Sequence, residues 1–164
     1  DCITSHIDFF SRTENLEDKV FAQDIIYVGG GNTKSMLAVW KEWNLYEILQ
    51  NAYEKGIVLS GVSAGAICWF DKGITDSCAE ELTIIDCLGI VGGIACPHFD
   101  EEKEREPYVN DVINREIIKS CICIEGNCAL HVKNNIEYSS IDFGNGKKCF
   151  RVYKENNTLK KEIL

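Results

Sequence analysis

From residue 22 onward the chain alternates short β-branched runs with blocks whose apolar positions fall at helical spacing. Residues 24–28, Asp-Ile-Ile-Tyr-Val, read as a buried strand that closes in the turn Gly29-Gly30-Gly31. Asn32-Thr33 offers a helix N-cap, and Met36, Leu37, Trp40 and Trp43 supply the apolar stripe behind it. A second helix is predicted over 45–55, ending at Gly56, then a strand over 57–60 and a helix over 64–70. Strand and helix alternating at this pace imply an α/β sandwich of three layers, a mostly parallel sheet covered on both faces.

After residue 81 the pattern shifts toward strands. Short apolar runs cover 82–85 and 89–96, a charged run covers 100–106, and 107–120 reads as a helix buried through Val109, Val112, Ile113 and Ile117. Strands are predicted over 121–125, 129–132, 137–141, 149–153 and 159–164, with turn residues at 134–135 and 144–146. Residues 2–10 alternate like an amphipathic strand. No repeat, linker or low-complexity tract interrupts the chain, so 1–164 is expected to be one domain.

Composition narrows the classes. The 164 residues are 45% hydrophobic, with three Trp, six Tyr and seven Phe, which is enough for a packed core and too much for a solvated tail. The net charge of −9 and the lack of a basic stripe make nucleic acid and anionic membranes poor partners. The longest stretch without a charge, residues 56–70, is too short and glycine-rich to span a bilayer. The chain opens Asp-Cys with no leader pattern, so the expectation is a removed start or a start part-way into a longer protein. Nine cysteines, an odd number set mostly in apolar runs, read as small hydrophobes in a reducing cytoplasm. No C-x2-C or H-x3-H spacing occurs, so neither a structural zinc nor another cofactor is expected.

The sharpest chemical signal is Gly61-Val62-Ser63-Ala64-Gly65 between a predicted strand and a predicted helix. This is a G-x-S-x-G nucleophile elbow, in which the sharp turn exposes the serine and the helix N-terminus points amides at whatever it attacks. The competing reading is a tight packing turn. Of three histidines, His6 lies in the amphipathic stretch and His131 in a strand, whereas His98 follows Pro97 at a strand end, where active sites of parallel sheets gather. His98 is therefore the expected general base. For the carboxylate that orients it, Glu125 at a buried strand end is preferred over Asp76, which is left to cap a turn or touch substrate. The Gly29–Gly31 turn fits neither the dinucleotide fingerprint nor the phosphate loop. It is expected to give a second oxyanion donor, Gly31 N–H beside Ala64 N–H, with Gly30 and Asn32 lining the substrate site.

Residues 28–33 (Val-Gly-Gly-Gly-Asn-Thr), 61–70, 75–77 (Thr-Asp-Ser), 96–100 (Cys-Pro-His-Phe-Asp) and 125–131 together resemble the peptidase E family of aspartyl dipeptidases, which also contains cyanophycinase. The segments occur in the right order and spacing from about Ala22 to Val132. The resemblance implies a class I glutamine-amidotransferase-like fold with serine at the amidotransferase cysteine, and it maps the nucleophile to Ser63, the histidine to His98 and the acidic third residue to Glu125. It implies a peptidase acting on short peptides with an N-terminal aspartate. Relatives usually begin with a further strand–helix unit before the region matching Asp1. Without it, folding and activity are expected to depend on a partner chain, such as a homodimer through the vacated edge, or on residues beyond these 164. An aspartate-reading site on an acidic protein needs a local cation, for which the match suggests Arg105, with Arg115 and Lys34 as weaker candidates. The rivals are an esterase or amidase of other specificity and a non-catalytic binding domain that kept the elbow.

Overall fold

The computed structural model describes residues 2–12, 15–78 and 81–164. Helix α1 (Leu16–Phe21) precedes β1 (Ile25–Val28), α2 (Thr33–Glu42), α3 (Leu45–Glu54), β2 (Val58–Gly61) and the one-turn α4 (Ala64–Ile67). Then come β3 (Phe70–Thr75), β4 (Thr83–Asp86), β5 (Val91–Cys96), α5 (Arg105–Asn114), β6 (Ser120–Ile124), β7 (Cys128–Lys133), β8 (Glu137–Asp142), β9 (Cys149–Glu155) and β10 (Thr158–Ile163). Strands β1 and β2 pair in parallel, with Ile25 opposite Val58 and Val28 opposite Gly61. A six-stranded sheet runs β10-β9-β6-β5-β3-β4. It is parallel through β3, β5 and β6 and antiparallel where β4, β9 and β10 flank that centre.

Alternation along β6 explains how this sheet is covered. Cys121 and Cys123 face the cluster that holds Val109, Val112 and Ile113 of α5, while Ile122 faces Ile67, Phe70 and Ala95 on the other side. That second face is closed by α4 and by Leu130 and Tyr138 of the β7–β8 hairpin. One helix layer of the expected sandwich is thus taken by a hairpin, whose turn uses Asn134 and Asn135, both at positive φ. A second core joins α1, α2 and α3 to the Ile26 and Val28 face of β1, with Leu37, Trp40, Leu45, Leu49 and Trp69 buried in it. The opposite face of β1–β2 leaves Ile25, Tyr27 and Val58 exposed.

Three predicted elements differ. The helix expected over 64–70 stops at Ile67, and Phe70 already starts β3. Cys68, Trp69 and Phe70 are all buried, so periodicity could not separate helix from strand there. The tertiary pairing decides: Cys68 O, Trp69 O and Phe70 O accept from Leu88, Val91 and Gly89 N–H. The helix expected over 107–120 runs from Arg105 to Asn114, with Pro107 in its first turn, where no amide is needed. Glu116 at φ 60° reverses the chain, so Ile117 is exposed and Ile118 is buried instead. Residues 2–10 form no strand; Ile7 and Phe9 pack on the helical core, and Phe9 lies 5.6 Å from the Trp43 ring. All nine cysteines are free thiols. Burial pushes Cys96 up to about 12 and Cys68 well above the usual thiol range, which suits core residues rather than nucleophiles.

Candidate active site

Between β2 and α4 only Val62 and Ser63 intervene, and the sharp turn falls on Ser63. Its φ of 56° and ψ of −118° lie in a region that side chains avoid, a strain maintained only by close packing around it. That packing is backbone on backbone: a Cβ on Gly65 would collide with the Val28 carbonyl, and one on Gly61 with the Gly65 carbonyl. No flexible side chain stands in the way to yield. Gly65→Ala is therefore expected to destabilise the fold by about 3 kcal/mol or more, at the upper end of overpacking costs, read as a lowered midpoint in urea unfolding. An unchanged midpoint would mean that the elbow is not built as described.

The turn delivers Ser63 Oγ to His98 Nε2 at 2.9 Å. His98 follows β5 and is itself at φ 53°, and its carbonyl accepts from both Glu101 N and Glu102 N. That tight turn brings Glu101 back over the ring, where Oε2 meets His98 Nδ1 at 2.7 Å. A carboxylate on Nδ1 holds the proton there and leaves Nε2 as acceptor for the serine O–H. The sequence reading placed Glu125 in this position. Glu125 instead accepts from Lys148 N at 3.0 Å, across the start of β9. Asp76, the alternative, is exposed in the turn after β3. Glu101 escaped the sequence reading because it stands in the charged run 100–106, which looks like a solvated face; the usable signal was the His-x-x-Glu spacing behind a strand end.

Around the serine, the glycine turn after β1 comes close. A Cβ on Gly30 would lie 3.3 Å from Ser63 Cβ, whereas one on Gly31 would meet nothing within 4 Å. Ala64 is buried at the head of α4, and neither its N–H nor that of Gly31 donates to any atom of the described residues. Asn32 caps α2, accepting from Ser35 N at 2.8 Å and donating to Ser77 O at 3.2 Å. Thr33 N donates to Ser77 Oγ at 2.9 Å, so the glycine turn is tied to the end of β3. This tie, through the Thr-Asp-Ser segment, had no assigned role in the sequence.

Arg105 is not at the substrate's disposal. It is 3% exposed, its Nε donates to Glu102 Oε2 at 2.6 Å and its Nη1 to the Ile74 carbonyl at 3.0 Å. It is a buried bridge between α5 and β3, and the expectation that it holds a substrate carboxylate is corrected. Arg115 pairs with Asp111 on an exposed turn of α5. Lys34, exposed in the first turn of α2, has no ion pair among the described residues. His6 lies in the N-terminal segment and His131 on β7 opposite Ser139; among the described residues the histidine hydrogen-bonded to Ser63 is His98. Among the described residues no three His, Cys, Asp or Glu side chains cluster as metal ligands would, and no helix is long and apolar enough to cross a membrane.

A model of peptidase family S51 matches residues 1–137. The chain is 42% identical over 153 residues to a Bacillus subtilis (strain 168) protein named "Uncharacterized peptidase YgaJ", covering 93% of this chain and 66% of that one. It is similar in fold to the 1.5 Å crystal structure of a "Putative Peptidase E Protein" from Listeria monocytogenes EGD-e, with a TM-score of 0.61 at 21% identity over 80% of this chain and 67% of that one. The chain thus spans just under two thirds of the Bacillus relative's length. On the family match and the 42% identity, it belongs to peptidase family S51.

Proposed function

We propose that this chain carries the catalytic centre of a serine peptidase that removes an N-terminal aspartate from dipeptides or short peptides, on a class I glutamine-amidotransferase-like fold in the cytoplasm. The observation that carries it is the continuous path Ser63 Oγ, His98, Glu101 at 2.9 and 2.7 Å. Ser63 Oγ attacks the carbonyl of the bond after the first residue while His98 Nε2 takes its proton. The oxyanion forms at the head of α4, within reach of Ala64 N–H and of the Gly30–Gly31 turn, where each good donor contributes about 3–4 kcal/mol. His98 then protonates the leaving amine, and water releases the acyl group by the reverse sequence. The reaction needs no cofactor.

With Arg105 committed to the core, Lys34 is the cation best placed to read the aspartate carboxylate, on α2 directly beyond the glycine turn. The test is a panel of Asp-X, Glu-X and Ala-X dipeptides and simple esters. Asp-X should be hydrolysed with kcat/KM at least about tenfold above the others, and Lys34→Ala should raise KM for Asp-X alone. Faster ester or Ala-X turnover would assign the centre to an esterase or amidase of other specificity. No turnover of any substrate would favour a binding domain.

A further inference from the structure

Glu101 holds His98 from an awkward place. Its side chain is 48% exposed, it has three rotatable bonds, and His98 is its sole hydrogen-bond partner among the described residues. A long side chain in that situation spreads over several rotamers unless something confines it. One wall is present. A Cβ on Gly126, in the turn between β6 and β7, would overlap the Glu101 carboxylate, so the bare Gly126 backbone lies directly against it.

Asp100 sets where that backbone lies. Its Oδ1 accepts from Gly126 N at 2.8 Å, and its Oδ2 pairs with Lys147 Nζ at 2.5 Å. Phe99 N donates to Ile124 O at 3.0 Å, and Glu125 exchanges bonds with Lys148. The His98 loop, the β6–β7 turn and the approach to β9 are thereby stitched into one piece. Partial burial raises the Asp100 carboxyl, but Lys147 and the Gly126 amide outweigh it and hold the group below the usual carboxylate range, so the clasp is ionised at neutral pH.

We propose that Asp100, clasped by Lys147, is a positioning residue that presses the Gly126 turn against Glu101 and so keeps that carboxylate on His98. It acts through Glu101 and touches neither serine nor substrate, and it rests on the Ser63–His98–Glu101 reading above. A displacement of about 1 Å in such a constellation costs up to about 100-fold in rate.

The experiment is a double-mutant cycle read by the rate of Ser63 phosphonylation with a fluorophosphonate, which needs no knowledge of the substrate. Asp100→Asn should lower the maximal labelling rate about tenfold or more, leave the concentration for half-maximal rate within about twofold, and keep the melting curve of the wild type. In a Glu101→Gln background the same change should cost less than about twofold, because the group it positions is already disabled. Should Asp100→Asn fail to fold, Lys147→Met carries the same comparison, with Lys147→Arg restoring the rate. Equal losses in both backgrounds, or a wild-type rate in Asp100→Asn, would overturn the positioning role. A wild-type rate in Glu101→Gln alone would instead overturn the triad reading on which it stands.

Discussion

Glu101→Gln is expected to slow hydrolysis by about 10³–10⁴-fold, whereas Glu125→Gln should change it by less than about threefold. The asymmetry follows from where each carboxylate is bonded. Glu101 is the group on His98 Nδ1, and a neutral amide there neither fixes the tautomer nor stabilises the imidazolium that forms as Ser63 loses its proton. At about 1.4 kcal/mol per decade, the loss amounts to about 4–5.5 kcal/mol of transition-state stabilisation. Glu125 accepts a backbone N–H, which the carbonyl oxygen of glutamine also accepts. Steady-state rates for both variants, beside their melting curves, decide the matter. The reverse order would return the orienting role to Glu125 and make the His98–Glu101 bond incidental.

Ser63→Ala should abolish turnover, by about 10⁴-fold or more, while leaving the unfolding midpoint within about 1 kcal/mol of wild type. Alanine keeps the Cβ that the elbow already accommodates and retains the positive φ, so the strain and the Gly61 and Gly65 contacts are unchanged. What disappears is the hydroxyl bonded to His98, whose loss costs one partly buried hydrogen bond. Retained hydrolysis in this variant would leave the chemistry with another group. A collapsed midpoint would mean that Ser63 is chiefly structural.

These two variants also mark how far the sequence was readable. Ser63 and His98 were legible because the elbow requires small residues at fixed places and because only one histidine follows a strand end. The parallel pair β1–β2, the caps at Asn32 and Gly56 and the stripe through Val109, Val112 and Ile113 followed from periodicity and turn chemistry. Glu101 drew no role from the sequence, and Arg105 was expected on the substrate, for one reason. In a run of seven residues, all of them charged, nothing local says which side chain folds back on an imidazole, which is buried and which is solvated; that is set by the left-handed turn at His98 and by the carbonyl of Ile74. The truncated α4 has a parallel cause, since its buried apolar continuation suits either a helix or a strand until β5 pairs with it.

The central claim is that the Ser63 hydroxyl is made nucleophilic by His98. It is tested most directly by treating the whole chain with a fluorophosphonate and locating the adduct by peptide mass spectrometry, for wild type and for His98→Gln. The account predicts a single phosphonylated residue, Ser63, in the wild type, and a labelling rate at least about 100-fold lower in the variant. Labelling at another serine, or Ser63 labelling that proceeds equally well without the imidazole, would contradict it.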